Sequence, residues 1–183
     1  MTISSPQIVV AVGGPKGSGK STVLQQVLST LPQFKHLSFG NWLTEESQRK
    51  LHTDFPDLDK QNKTLLRKRF ERKIMQLKKS HQIIIDMHFG EFEEGGYPCV
   101  VPTILLQNFT HILLLTASAE AIYQRRIQDH KKRRVDPVSI QLNILGEQLH
   151  YNSLCDSSHA KHAIFLNNDS NRTAKKLAQF LSN

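Results

Sequence analysis

The chain alternates short apolar runs with amphipathic stretches along its 183 residues. Five runs of apolar, often β-branched residues predict strands at 8–12, 36–39, 82–86, 111–116 and 163–166. Apolar residues at helical spacing predict helices at 21–31, 42–51, 63–79, 102–109, 118–130, 137–152 and 171–181. Residues 54–59 and 90–101 are predicted to be loops. Strands that alternate with helices predict an α/β fold, a parallel sheet covered on both faces, with ligands at the carboxyl ends of the strands.

The loop after the first predicted strand carries the most specific motif in the chain. It reads G-x-x-x-x-G-K-S, the spacing of a phosphate-binding P-loop, and it stands between a predicted strand and a predicted helix. Its glycines let backbone N–H groups face phosphate oxygens, and the helix N-terminus adds partial positive charge. The predicted ATP-binding residues here are Gly14, Pro15, Lys16, Gly17, Ser18, Gly19, Lys20, Ser21 and Thr22. Lys20 is expected to reach the β and γ phosphates, and the Ser21 hydroxyl to bind Mg²⁺.

Asp86 ends the third predicted strand, directly after three isoleucines. A carboxylate at this position is typical of the acid that holds Mg²⁺, directly or through water, beside a bound nucleotide. The alternative is an ordinary strand-ending aspartate in a turn. His88 points to the same side if the chain stays extended, so it either contacts the acceptor substrate or packs as a neutral histidine.

Positive charge is concentrated in one predicted helix. Residues 60–80 hold nine lysines and arginines against Glu71 alone, a net of +8 that equals the formal net charge of the whole chain. Such a run is either a solvated face or a surface for phosphate or polyanion. Aromatic residues for stacking bases are nearly absent there, which disfavours a dedicated nucleic-acid site.

A second basic run, Lys131-Lys132-Arg133-Arg134, follows the predicted helix that carries Arg125 and Arg126. Guanidinium groups match the charge that develops in phosphoryl transfer, and a mobile segment that carries them can close over a site and exclude water. We therefore expect a lid at about 127–138, although a solvated charge run has the same composition.

The kind of acceptor that takes the phosphoryl group can be inferred from whether the site offers a general base. A hydroxyl acceptor needs a carboxylate near the site, but Ser38-Phe39-Gly40-Asn41, at the end of the second predicted strand, has none. A nucleoside monophosphate is already an anionic nucleophile and needs only cations and alignment. The sequence therefore favours a monophosphate acceptor over a hydroxyl acceptor.

Taken together and in order, these motifs resemble the archaeal-type adenylate kinases over most of the chain. The matching segments are residues 14–21, Phe39-Gly40, Arg72-Lys73-Ile74, Ile85-Asp86-Met87-His88, Gly96-Tyr97-Pro98, Arg125-Arg126 and Asn167-Asn168-Asp169. The resemblance implies a P-loop NTPase/NMP-kinase fold with a five-stranded parallel sheet of order 2-3-1-4-5, and transfer of the ATP γ-phosphoryl group to AMP with Mg²⁺. It also allows a homo-oligomer, because members of that family form trimers.

The resemblance also implies roles for single residues. Lys20, Arg125 and Arg134 would act on the phosphates, Ser21 and Asp86 would hold the metal, and Asn168 would lie near the adenine of ATP. An acceptor-binding insertion at about 40–80 would use Asn41, Lys60, Arg72 and His88. The departures are Asn41 in place of Thr or Ser, Lys60 in place of an arginine, and a lid without the Arg-x-Arg-Asp pattern. They fall on the acceptor side and the lid, whereas the ATP side is intact.

The remaining expectations concern organisation and alternatives. The length fits one kinase domain over residues 1–183, and neither a signal sequence nor a membrane span is predicted. Cys99 and Cys155 have no metal-binding spacing, so a reduced, cytoplasmic setting is expected. Two alternative functions stay open: a small-metabolite hydroxyl kinase that uses Asp86 or Asp54 as base, and an ATP-dependent RNA-binding or assembly factor.

Overall fold

The sheet of the computed structural model is parallel throughout and lies between two layers of helices. The structure describes residues 7–90, 98–101, 103–129 and 135–183. Within them the strands are β1 (Val9–Gly13), β2 (Phe34–Ser38), β3 (Gln82–Asp86), β4 (His111–Thr116) and β5 (Lys161–Leu166). The helices are α1 (Lys20–Thr30), α2 (Phe39–Leu51), α3 (Lys60–Leu77), α4 (Thr103–Leu106), α5 (Ala119–Gln128), α6 (Pro137–Asp156) and α7 (Ser170–Ser182). The strand order is β2-β3-β1-β4-β5, which confirms the predicted 2-3-1-4-5 sheet.

The three central strands, β3, β1 and β4, are buried on both faces because their residues alternate between two cores. On one face Val10, Val12 and Ile84 pack with α1 and α7. On the other face Ala11 and Ile85 pack with α2, α3 and α6. The continuous apolar runs in the sequence are therefore explained by helices on both sides of the sheet.

Capping residues explain where two helices begin earlier than predicted. The Ser38 hydroxyl accepts a hydrogen bond from the Asn41 amide at 3.4 Å, so α2 begins at Phe39 and β2 ends before it. The Asp59 carboxylate accepts one from the Asn62 amide at 2.8 Å, so α3 begins at Lys60. A side-chain cap stabilises the first turn whatever the apolar spacing, and the periodicity alone missed both starts.

Other boundaries differ at element ends. β5 begins at Lys161, before the predicted residue 163, and α6 extends to Asp156, beyond the predicted residue 152. The predicted loop at 54–59 contains a 3-10 turn at Phe55–Asp57, and the predicted helix at 102–109 is only the four residues of α4. Among the described residues, no helix is both long enough and apolar enough to cross a bilayer.

Candidate active site

The P-loop joins β1 to α1 at the centre of the sheet's carboxyl edge. Its glycines at 14, 17 and 19 have φ values of 141°, 90° and 87°, a region that favours glycine. A Cβ atom at Gly14 would overlap the Leu115 carbonyl oxygen, and one at Gly19 would overlap the Asn167 amide group. Glycine is therefore required by the backbone angles and by the space around the loop.

The first turn of α1 faces this loop without a side-chain cap, because Gly19 stands at the N-cap position. The first N–H groups of a helix have no partner within the helix, so they are suited to bind an anion. Ser21 and Thr22, both exposed, lie in this turn. The predicted phosphate-binding turn is thus a helix N-terminus that opens toward the loop.

Two arginines of α5 hold the P-loop from outside. The Arg126 guanidinium donates from Nε and Nη2 to the Lys16 carbonyl at 3.0 and 2.9 Å. Arg125 donates from Nη1 to the Ser18 carbonyl at 3.0 Å and from Nη2 to the Asn167 carbonyl at 2.9 Å. The Asn167 amide also donates to the Ser18 carbonyl, at 2.8 Å.

These bonds orient the amides of the loop. In a trans peptide the C=O and the next N–H point in opposite directions. Because the carbonyls of Lys16 and Ser18 are held from the outside, the N–H groups of Gly17 and Gly19 point the other way, into the loop. The arginines of α5 thus prepare a ring of inward donors for a phosphate group.

Lys20 lies within this ring. Its residue surface is only 8% exposed, and its ammonium group donates to the Gly14 carbonyl at 2.6 Å. The ammonium is therefore placed across the mouth of the loop, where an incoming phosphate can replace the carbonyl as its partner. This position is compatible with the role predicted for Lys20.

A buried carboxylate from α6 lies beneath the loop. Glu147 is 0% exposed, and its Oε2 atom accepts hydrogen bonds from the amides of Gly14 at 3.1 Å and Phe89 at 3.0 Å. Its Oε1 atom lies 2.9 Å from Nδ1 of His88. Burial raises the pKa of Glu147, but the bond to His88, the charge of Lys20 and the Phe89 amide outweigh burial, so the pKa lies below its ordinary value.

His88 has the opposite balance. Burial and the charge of Lys20 lower its pKa more than Glu147 raises it, so the imidazole is neutral near pH 7. Its side chain remains 32% exposed, with Nδ1 occupied by Glu147. The predicted acceptor-side histidine is thus tied to the P-loop through Glu147.

Asp86 and Ser21 are the residues suited to Mg²⁺. Asp86 ends β3 in register with Val12 of β1, one residue before the strand passes into the P-loop segment. Among the described residues there is no group of three or more metal-ligating side chains. Mg²⁺ beside a nucleotide takes most of its ligands from phosphate and water, so one hydroxyl and one carboxylate from the protein fit it. The metal roles of Ser21 and Asp86 stay predictions.

The acceptor-side residues are spread over a wider region. A shallow groove of about 370 Å³ lies between α2 and α3, and we call it the α2–α3 groove. It is lined by Trp42, Glu46, Arg49, Lys50, Arg69, Arg72, Lys73 and Gln76. The groove thus holds five cations and one buried acid, Glu46, which pairs with Arg49 at 2.6 Å and with Arg69 at 3.4 Å.

Arg72 belongs to this groove, whereas Lys60 does not line it. The two residues are 12 positions apart on α3, about 18 Å along its axis at the rise of a helix. Asn41 is exposed in the first turn of α2, and His88 is tied to Glu147. These four residues do not line one groove in this structure, and their roles in acceptor binding stay predictions.

Other predicted site residues have definite positions. Arg125 lies in the last turn of α5, where its guanidinium donates to the Ser18 carbonyl of the P-loop, and its predicted catalytic role stays a prediction. Arg134 and the rest of the basic run at 131–134 fall outside the described residues. Asn168 is exposed, whereas the contact with the P-loop is made by its buried neighbour Asn167.

Sequence reasoning missed Glu147 and the loop-holding role of Arg126. Glu147 carried a usable signal: it stands at helical spacing with Ile140, Ile144, Tyr151 and Leu154, the inward face of α6. A charged residue in a core-facing position is costly to bury unless it is paired.

We call residues 14–20 together with Arg125, Arg126, Glu147 and Asn167 the P-loop cluster.

Fold and P-loop cluster together define a nucleotide-binding α/β domain of the P-loop class. The chain belongs to the AAA domain family, whose sequence profile matches residues 12–141. Among curated proteins, none matches the sequence significantly.

Two solved structures share the fold at low sequence identity. Shikimate kinase from Bacteroides thetaiotaomicron is 14% identical with a TM-score of 0.62, and the match covers 96% of this chain and 99% of that one. Shikimate kinase from Acinetobacter baumannii, in complex with shikimate, is 17% identical with a TM-score of 0.58, covering 96% and 93%. At such low identity the likeness shows the fold, a P-loop kinase architecture. The substrate has to be inferred from the residues of the site.

Proposed function

We propose that this chain is an ATP-dependent phosphotransferase that transfers the γ-phosphoryl group of ATP to a nucleoside monophosphate, with AMP preferred. The observation that carries the proposal is the P-loop cluster. Its amides are turned inward, and the Lys20 ammonium is held only 2.6 Å from a carbonyl that a phosphate can replace. Bound Mg²⁺ would neutralise charge on the phosphates, with Ser21 and Asp86 as its protein ligands.

An anionic acceptor is supported by how the carboxylates near the P-loop are used. Both oxygens of Glu147 already accept hydrogen bonds, so this group is poorly placed to take a proton from a hydroxyl substrate. Asp86 is assigned to the metal. The α2–α3 groove adds cations from two helices, and a phosphate acceptor needs cations and alignment in place of a base.

A small-metabolite hydroxyl kinase is the second candidate, favoured by the likeness of the fold to shikimate kinases. It requires a base, for which Asp54 and Asp86 are the candidates. In this structure the Asp54 carboxylate accepts a hydrogen bond from the Gln48 side chain at 2.5 Å, so Asp54 would first have to leave Gln48.

The experiment that tests the proposal is a panel of acceptors with MgATP, followed by ³¹P NMR. We expect AMP to give ADP as the only phosphorylated product, with slower transfer to other monophosphates and none to shikimate. Transfer to a hydroxyl compound that is lost in Asp54→Asn, with ATP affinity retained, would support the second candidate. No diphosphate from any monophosphate would reject the proposal.

A further inference from the structure

We infer that Glu147 is a positioning residue of the nucleotide site: it holds the start of the P-loop and the turn after β3 in the geometry that receives phosphate. This inference rests on the proposed function only in taking the P-loop as a nucleotide site. It does not depend on which acceptor receives the phosphoryl group.

The cost of burying Glu147 is the first reason. The other inward residues of α6, such as Ile140, Tyr151 and Leu154, are buried and pack apolar surface against the core. A leucine or methionine would satisfy the same position on packing grounds. A fully buried carboxylate instead loses its hydration, and well-packed apolar residues often replace such a charge without loss of stability. Packing alone therefore does not account for this residue.

The atoms that Glu147 holds are the second reason. Gly14 follows β1 and Phe89 follows β3, so one carboxylate oxygen joins the exits of two neighbouring strands. The other oxygen joins His88, on the same segment as Phe89. Glu147 thus fixes the P-loop relative to the segment that begins at Asp86, where we expect the metal.

The third reason concerns what changes when a phosphate binds. Gly14 is held at its amide by Glu147 and at its carbonyl by the Lys20 ammonium. If Lys20 turns to a phosphate, the carbonyl loses that partner, whereas the amide is still held by Glu147. The loop then keeps its shape during binding, and little ordering has to occur at that moment.

Glu147 also sets the form of the His88 ring. A carboxylate at Nδ1 favours the tautomer that carries its proton on Nδ1 and leaves Nε2 as an acceptor. The His88 side chain is 32% exposed, so part of the ring is accessible from the surface. Removing the carboxylate should therefore change the tautomer as well as the loop.

The test uses the full chain with Glu147→Gln, which keeps the shape and one acceptor oxygen but removes the charge. Leu149→Gln is the matched control, on the same helix but 66% exposed on its outer face. We expect Glu147→Gln to weaken the affinity for a non-hydrolysable ATP analogue, measured by calorimetry, by about tenfold, because charge-assisted bonds to two amides are lost. The KM for AMP should change less than twofold.

Nitrogen-15 NMR of the imidazoles gives a second readout. We expect the His88 resonances to shift from the Nδ1–H pattern toward the Nε2–H pattern in Glu147→Gln and to stay unchanged in Leu149→Gln. Analogue affinity equal to that of the parent protein, or an unchanged tautomer in a folded Glu147→Gln protein, would overturn the inference. If the parent binds the analogue but phosphorylates no monophosphate, the proposed function fails while this inference stands.

Discussion

The two sides of the candidate site are built in different ways. The P-loop cluster is assembled from the loop between β1 and α1, the first residue of α1, α5, α6 and the segment between β5 and α7. Apart from Lys16, its side chains are buried or half-buried. Its arginines, asparagine and glutamate each bond to loop backbone at 2.8–3.1 Å. The α2–α3 groove comes from two helices only, and its cations lie mostly in solvent around one acid, Glu46.

Fixed backbone donors and flexible side-chain cations recognise ligands in different ways. A backbone ring with fixed amides suits one rigid shape, the phosphate tail of a nucleotide, with little reorganisation. Exposed arginines and lysines attract anions of many shapes, but each side chain must lose rotamer freedom on binding. The P-loop cluster is therefore pre-formed. If the α2–α3 groove binds the acceptor, as we propose, we expect its specificity to arise when a ligand orders its side chains.

Among the substitutions considered, we expect the greatest loss of activity from one in the P-loop cluster. Lys20→Ala should lower kcat for phosphoryl transfer by on the order of 100- to 1000-fold, because it removes a charge aimed at the group that becomes more negative in the transition state. Steady-state kinetics with MgATP and AMP measures this effect.

Lys176→Ala is the control, since Lys176 is an exposed lysine of α7 outside the P-loop cluster. It should change kcat by less than a few-fold, because a solvated charge is screened. A Lys20→Ala protein that retains turnover near the parent value would contradict the role of Lys20.

The same contrast explains what the sequence could predict. The P-loop motif depends on local spacing, and the strand order accompanies the resemblance, so the loop between β1 and α1 and the five-stranded sheet were both predicted correctly. The ATP-binding roles of Gly14–Ser21 stay predictions. Glu147 is 133 positions from Gly14 in sequence, and no local pattern states that α6 packs under the loop. Lys60 and Arg72 share a helix and a charge, yet they are 12 positions apart, which at about 1.5 Å per residue separates them by about 18 Å along the axis.

The next effect tests whether the ring of amides needs its glycine geometry. Gly19→Ala should weaken ATP affinity by roughly 100-fold and lower the unfolding free energy by about 1–3 kcal/mol, because a side chain at φ 87° is strained and its Cβ would overlap Asn167. Calorimetry with an ATP analogue and urea unfolding measure the two quantities.

Gly40→Ala provides the comparison on the other side of the site. A Cβ atom there meets nothing within 4 Å, and the residue is helical, so alanine should leave ATP affinity unchanged and stabilise the fold by up to about 1 kcal/mol. Equal losses of ATP affinity in the Gly19→Ala and Gly40→Ala proteins would show that ATP binding does not depend on the glycine geometry of the P-loop.

A smaller and more selective effect is expected in the groove. Arg72→Ala should raise the KM for AMP by about tenfold and leave the affinity for ATP unchanged, because one guanidinium that can bind a phosphate is removed. Lys175→Ala, at an exposed position of α7 on the other face of the sheet, removes a positive charge elsewhere and should have little effect. If the Arg72→Ala and Lys175→Ala proteins had equal KM values for AMP, the α2–α3 groove would not be the acceptor site.

The smallest effect concerns the acid within the groove. Glu46 holds the guanidinium groups of Arg49 and Arg69, so it lowers the positive charge offered to a ligand. Glu46→Gln should release both arginines and strengthen AMP binding by about two- to threefold, since exposed charges contribute little each. Trp42 is the only tryptophan in the chain and lines the groove, so its fluorescence can follow the titration directly. The gain should disappear at about 1 M salt, where charges separated by more than roughly 3 Å are screened. A gain that persists there would mean that Glu46 acts on the shape of the groove, through the packing of α2 on α3, and not on its charge.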